Sequence, residues 1–169
     1  MTRRTRGREI ALQVLYQLEQ NPDSAPDEVR DFIARRIRDE GLRCYADALI
    51  AGVRSHREQL DALIGQVAEN WSLERMAAID RNILRLGAFE LLHRPEVPPK
   101  VVINEALELA KRYSTAQSSR FVNGILDRLQ APAAESRAAS SPEASGEEAF
   151  SPADDASSPV DGPSAPPSP

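Results

Sequence analysis

Apolar residues recur at three- and four-residue steps through most of the first 130 positions, the pattern of amphipathic helices. The spacing predicts a first helix over about 6–19, with Ile10, Ala11, Val14, Leu15 and Leu18 as its stripe and Asn21-Pro22-Asp23 as its end. Asp23 or Ser24 can cap a second helix that has Pro26 in its first turn, Val29, Phe32, Ile33 and Ile37 facing inward, and Gly41 as a stop. A third helix over about 42–54 puts Tyr45, Ala48, Leu49, Ala51 and Gly52 on its apolar side. A fourth over about 58–70 uses Leu60, Leu63, Ile64 and Val67, and His56-Arg57 marks the break between the two.

From about 73 to 93 apolar residues cover nearly the whole circumference, which predicts a helix through the middle of the domain, with Ser72 as its cap. After the extended connector Arg94-Pro95-Glu96-Val97-Pro98-Pro99, the stretch 99–129 reads as an antiparallel helical hairpin. Val102, Ile103, Ala106, Leu107, Ala110 and Tyr113 face inward in its first helix, and Phe121, Val122, Ile125, Leu126 and Leu129 in its second. Ser114 to Ser118 form the polar turn. Asn123-Gly124 would favour a β-turn, but its flanks have helical spacing. The expectation is an all-α fold of about seven helices. Gly52, Gly87 and Gly124, each costly inside a helix, are expected where helices approach closely.

Composition divides the chain. Residues 131–169 are Ser, Pro, Ala, Asp, Glu and Gly with one aromatic, Phe150, and are expected to form a disordered acidic tail behind a folded part at 1–130. The net charge of −5 follows the same division. The first 130 residues hold 20 Lys/Arg against 19 Asp/Glu, and the tail holds 1 Arg against 7 acids. Cys44 is the only cysteine, which excludes an internal disulfide and a thiolate zinc cage and suggests a buried thiol. No apolar run approaches a membrane span and no signal peptide pattern is present, so a soluble cytoplasmic protein is expected.

Catalytic chemistry finds little support. His56 and His93 are isolated in sequence, no glycine-rich phosphate loop occurs, and Glu105 and Glu108 beside Lys111 and Arg112 read as a solvated face. No cofactor or metal is expected. The strongest signal is Arg3, Arg4, Arg6 and Arg8, four guanidinium groups within six positions ahead of the first acid, Glu9. Such a cluster suits phosphate contacts.

Three blocks, RRTRGREIALQVLYQLE, AAIDRNILRLGAFELL and the hairpin pair VVINEALELAKRYS and SSRFVNGILDRL, resemble the NusB transcription antitermination factors over about 3–129. The resemblance implies an all-helical fold of two packed subdomains and no enzymatic activity. It implies binding to the boxA element of ribosomal RNA transcripts together with NusE, a small-subunit ribosomal protein, inside an RNA polymerase complex with other Nus factors. Some members form homodimers. By the same resemblance Arg3, Arg4, Arg6, Arg8, Gln117, Ser118, Arg120 and Phe121 face RNA, and Tyr16 and Asp80 face NusE. Gly7 interrupts the arginine run and is expected to loosen the first turn. Gln117 stands where other members can carry an acid. Two further readings are the NusB-like module of a ribosomal RNA cytosine methyltransferase and a protein-binding scaffold without RNA specificity.

Overall fold

A helix that is apolar on every side must be enclosed by others, and the arrangement follows from that requirement. The computed structural model describes residues 2–140, in seven helices: α1 (Arg3–Gln20), α2 (Pro26–Arg36), α3 (Glu40–Ser55), α4 (Arg57–Val67), α5 (Ala78–His93), α6 (Pro99–Tyr113) and α7 (Ala116–Ser140). A single 3-10 turn, Leu73–Arg75, precedes α5, and no strand occurs among the described residues. Every residue of α5 from Asn82 to Leu92 is buried. α1 packs on α2 and α3, α4 to α7 form a second group, and α5 touches α1 and α3 as well as its own group. The two-subdomain, all-α expectation holds, with α5 joining the halves.

The core is one apolar cluster running from Ile10 in α1 to Ala133 in α7. Glycine shapes it at two helix crossings. A Cβ at Gly52 would lie 2.1 Å from the Phe89 ring, and one at Gly87 would lie 2.9 Å from Leu126. Gly124 differs from the expectation, because no atom of another element lies within 4 Å of a Cβ built there among the described residues. Gly7 does not loosen the chain either. It admits the Tyr45 ring, whose Cδ1 would be 2.7 Å from an added Cβ, so the first turn of α1 packs on α3.

Several boundaries and faces move. α2 starts at Pro26 without a side-chain cap, so Asp23 and Ser24 do not serve there. The central helix begins at Ala78, because Met76 and Ala77 are extended and Met76 is drawn into the core. Arg81 holds that bend by donating to the Leu73 carbonyl at 2.8 Å and the Met76 carbonyl at 3.2 Å. In α3 the buried stripe is Ala46, Leu49, Ile50 and Val53, while Ala48 and Ala51 face solvent. Cys44 is exposed, not buried. The last helix runs ten residues beyond the expected boundary at Gln130, through Pro132. Leu126, Leu129 and Ala133 continue one buried stripe, and the alanine-rich stretch favours helix. The rest of the expected tail, 141–169, lies outside the described residues.

Charged side chains staple α5 to its neighbours. Arg85 donates to both carboxylate oxygens of Asp61 in α4, at 2.7 and 2.9 Å, and to Glu19 of α1 at 3.1 Å. Glu19 also receives Arg81 and, at 2.8 Å, the amide of Asn82. Glu90 accepts both donors of Arg8 in α1, at 2.7 and 2.8 Å.

Candidate nucleic-acid interface

The arginine cluster at the start of α1 does not act as one group. Thr2 caps the helix, its hydroxyl accepting from the Thr5 amide at 3.1 Å, and so fixes the direction in which the arginines leave. Arg3 is exposed and reaches Asp39 at 2.5 Å; the Leu42 amide first, and Arg3 after it, hold that carboxyl below its ordinary range. Arg4 is exposed, its guanidinium 5.7 Å from the Tyr45 ring centre. Arg6 is half-exposed and pairs with Glu9 at 2.7 Å. Burial works against charge on Glu9, but Tyr113, Arg6 and Arg112 outweigh it and lower its pKa.

Arg8 departs from the expectation. It is 3% exposed, and Glu90, its partner, 2%. Burial alone would lower the Arg8 pKa, but the hydrogen bonds and charge of Glu90 more than offset it, and the net shift is upward. A guanidinium with its donors committed to a buried carboxylate is withdrawn from phosphate. Arg8 is therefore a staple between α1 and α5, and the guanidinium groups open to solvent at this end are those of Arg3, Arg4 and, in part, Arg6.

The hairpin turn builds a second region. Thr115 caps α7, its hydroxyl accepting from the Ser118 amide at 3.0 Å. The Ser118 hydroxyl donates to Asp80 Oδ2 at 2.8 Å, tying the turn to the first turn of α5. Ser118 is buried, with its hydroxyl turned to Asp80, and it borders the cleft beside Phe121 instead of standing on an open face. Gln117 and Arg120 are exposed, and Phe121 is half-buried. The Phe121 ring meets Trp71 edge to face, with centroids 5.7 Å apart and planes at 66°. Two clefts flank this pair. One, of about 350 Å³, also touches Arg75, Asp80, Thr115, Gln117 and Ser118; the other, of about 280 Å³, touches Glu69, Arg120, Gly124 and Arg128.

Asp80 is 7% exposed, with Oδ1 lacking a hydrogen-bond partner among the described residues. An unpaired buried acceptor of this kind costs about 1–3 kcal/mol. Thr5 touches Glu105 and Gln13 touches Tyr113, so α1 and α6 run side by side. The arginines of the first turn thus lie near the Glu105 level of α6, and Phe121 beyond its Tyr113 end. Eight residues of helix separate the levels, roughly 12 Å. Lys111 and Arg112 are exposed on the last turn between them.

Comparison with known proteins decides what this arrangement belongs to. The family model described as the NusB family matches residues 5–131. The chain belongs to the NusB family. The transcription antitermination protein NusB of Sorangium cellulosum (strain So ce56) is 49% identical over 129 residues, covering 76% of this chain and 92% of that protein. The structure of T. maritima NusB superposes with a TM-score of 0.68 at 36% identity, over 78% of this chain and 92% of that one. A crystal structure of the antitermination factors NusB and NusE in complex with double-stranded RNA superposes with a TM-score of 0.70 at 26% identity, over 78% and 98%. Membership makes this chain a transcription antitermination factor and not an enzyme.

A further groove adjoins the larger cleft beside Trp71 and shares Ala77 with it. Tyr16 is 41% exposed and lines a depression of about 580 Å³ with Gln13, Phe32, Arg36, Ile79 and Tyr113. Arg36 lies 3.5 Å from the Phe32 ring centre. Asp80 follows Ile79 in sequence, but its carboxylate turns away to Ser118, so the structure does not bring Tyr16 and Asp80 together on one open contact.

Sequence reasoning missed Trp71. It is 56% exposed and was readable only as a junction marker. The usable signal was a lone tryptophan in a polar stretch, Asn70-Trp71-Ser72, outside any helical stripe. His56 and His93, isolated in sequence, stack with ring centroids 4.1 Å apart. No group of three His, Cys, Asp or Glu among the described residues is placed to hold a metal ion, and no described helix is long and apolar enough to cross a membrane.

Proposed function

We propose that this NusB protein binds boxA RNA of nascent ribosomal RNA transcripts jointly with NusE, in the cytoplasm, and that the complex joins RNA polymerase and other Nus factors. The observation that carries the reading is the half-exposed Phe121 ring beside Trp71 with Arg120 next to it, a stacking platform flanked by cations. The NusB–NusE–RNA neighbour supports it. Arg3, Arg4 and Arg6 hold phosphates, Gln117, Arg120 and Phe121 meet the strand, and Ser118 keeps the turn in place. Tyr16 and its groove take NusE, and Asp80 contributes to that contact by fixing the start of α5. Binding of both partners raises the effective concentration of each for the other. A homodimer that covers the RNA face would compete with RNA and would dissociate on its addition.

The test is RNA binding with and without NusE across a salt series. Arg3/Arg4/Arg6→Ala should reduce the log–log salt slope by about 2, at roughly 0.7 per phosphate on a single strand. An unchanged slope would remove the arginines from the interface. Tight NusE binding with no preference for boxA over scrambled RNA would favour the scaffold reading.

A further inference from the structure

The end of α7 lies at the same end of the bundle as the start of α1. α7 runs beside α5 in the same direction, since Ser118 in its first turn meets Asp80 and Leu126 lies against Gly87 further along. Its last turns carry Arg137, whose positive charge acts on His93 at the end of α5. The next residue, Arg94, holds its guanidinium 6.0 Å from the Tyr45 ring centre, and Arg4 of α1 holds its own 5.7 Å from the same centre. α6 runs beside α1 in the same direction, with Thr5 meeting Glu105, so Lys100 in its first turn belongs to this end as well. Residues 141–169 therefore leave α7 at the end of the bundle that carries Arg4, Arg94 and Lys100.

The two regions are opposite in charge. Residues 141–169 hold six acids and no Lys or Arg. Four of them, Glu147, Glu148, Asp154 and Asp155, flank Phe150, the one aromatic residue of that stretch. At the bundle end Arg3 and Arg94 have the carboxylates of Asp39 and Glu96, whereas Arg4 and Lys100 are exposed and make no ion pair among the described residues. The half-buried Tyr45 ring lies between Arg4 and Arg94 and offers a face to a second aromatic ring. Reach is sufficient. His56 stacks on His93 and sits eleven positions from Tyr45 on α3, roughly 16 Å. The ten residues from Ser140 to Phe150 can span up to about 35 Å.

We propose that the acidic stretch around Phe150 folds back onto Arg4, Arg94, Lys100 and the Tyr45 ring, and that RNA must displace it to reach these cations. The occupant is this chain's own segment because it is tethered beside the patch, at an effective concentration that a separate acidic protein does not match. The inference rests on the RNA-binding reading above and adds an internal competitor for its phosphate contacts.

Cys44, the only cysteine, is exposed and adjoins Tyr45, so a nitroxide attached to it sits beside the patch. In the full chain at about 0.1 M salt the label should broaden the amide signals of Glu147 to Asp155. The broadening should vanish at about 1 M salt, where the Debye length falls from about 10 to 3 Å, and in Arg4→Ala/Lys100→Ala. The second arm is a full-length variant carrying Glu143→Gln, Glu147→Gln, Glu148→Gln, Asp154→Asn, Asp155→Asn and Asp161→Asn. A segment seated about nine-tenths of the time leaves about one-tenth of the patch free, so this variant should bind single-stranded RNA about tenfold more tightly at the lower salt.

Unbroadened signals, broadening that persists in Arg4→Ala/Lys100→Ala, or equal RNA affinity of parent and neutralised variant would overturn the proposal. Broadening that grows with protein concentration would give the patch to the segment of a second copy and would also overturn it. Broadening as expected, with no binding of any RNA by either chain, boxA with NusE included, would overturn the RNA-binding reading and the competition while the contact itself stands.

Discussion

Replacing Arg8 separates a structural arginine from a phosphate ligand. Arg8→Ala leaves Glu90, 2% exposed, without its two charged donors. The other nearby acid, Glu105, has an oxygen 3.7 Å from Arg8 and adds to the uncompensated negative charge. Removing one partner of such a pair costs about 3–5 kcal/mol. For a domain of this size each kcal/mol moves the melting temperature by roughly 3–4 °C, so the variant should melt about 10–20 °C below the parent. Thermal unfolding followed by circular dichroism measures this directly. The double variant Arg8→Met/Glu90→Leu should recover most of the loss, since an apolar pair of similar volume replaces a buried ion pair at little cost. At a temperature where Arg8→Ala is folded, its RNA salt slope should match the parent. A variant that melts within about 2 °C of the parent and whose salt slope falls by about 0.7 would show that Arg8 leaves Glu90 for phosphate, and would refute the reasoning.

Other outcomes follow from individual environments. Gly124→Ala should stabilise the domain by about 0.5–1 kcal/mol, because the added Cβ meets no other element and helix propensity improves; a lower denaturant midpoint would contradict this. Phe121→Asp should weaken RNA binding with a small change in melting, whereas Ile125→Asp, in the core, should unfold the domain; equal unfolding by both would make the hairpin scaffold only. A chain ending at Gln130 should melt several degrees below one ending at Ser140, since the shorter chain loses the buried Ala133 turn, and equal melting would show that turn contributes nothing. Partial burial, His56 and Arg137 hold the His93 pKa below its ordinary 6.5. The neutral ring is therefore favoured by folding, and its contribution is complete above about pH 6.5 and lost as pH falls through the folded value. Melting temperature should drop on acidification from pH 7 to pH 5, and His93→Gln should flatten that drop.

What the sequence disclosed depended on whether one helix's periodicity contained the answer. The all-round apolar pattern of about 73–93 placed the central helix, α5, at the centre though it set its start too early, and Gly52 and Gly87 marked close crossings because the enclosing helices had to approach it. Arg8 was readable in part. It lies three and four positions before Ala11 and Leu12, on the buried face of α1, whereas Arg3 and Arg4, four positions before Gly7 and Arg8, extend that face past the core and are exposed. The compensating acid was not readable, because Glu90 is 82 positions away. The cleft was hidden for the same reason: Trp71, Asp80 and Phe121 meet only when the 3-10 turn, α5 and the hairpin are assembled. The extension of α7 was missed because composition outweighed a stripe that continues from Leu126 and Leu129 to Ala133.

The polar residues of α5 explain why a helix so apolar has one position among its neighbours. A smooth apolar cylinder could rotate or slide against others with modest loss of buried area. Asp80 answers only to Ser118 of the hairpin turn, Arg85 to Asp61 of α4 and Glu19 of α1, and Glu90 to Arg8 of α1. These contacts leave the helix at its start, middle and end, in different directions. A shift of one turn would break all of them at once and leave buried charge unpaired, so the network selects register even where its net stabilisation is small. The first contact has a second consequence. Because Ser118 occupies one oxygen of Asp80 while Trp71 is placed by the bend that Arg81 clamps, the cleft's floor and wall are both set from α5. The cleft is therefore preorganised by the core's own polar contacts, and, on the proposed RNA-binding reading, Arg81→Ala should loosen Trp71 and reduce RNA affinity although Arg81 lines neither of the two clefts beside Trp71.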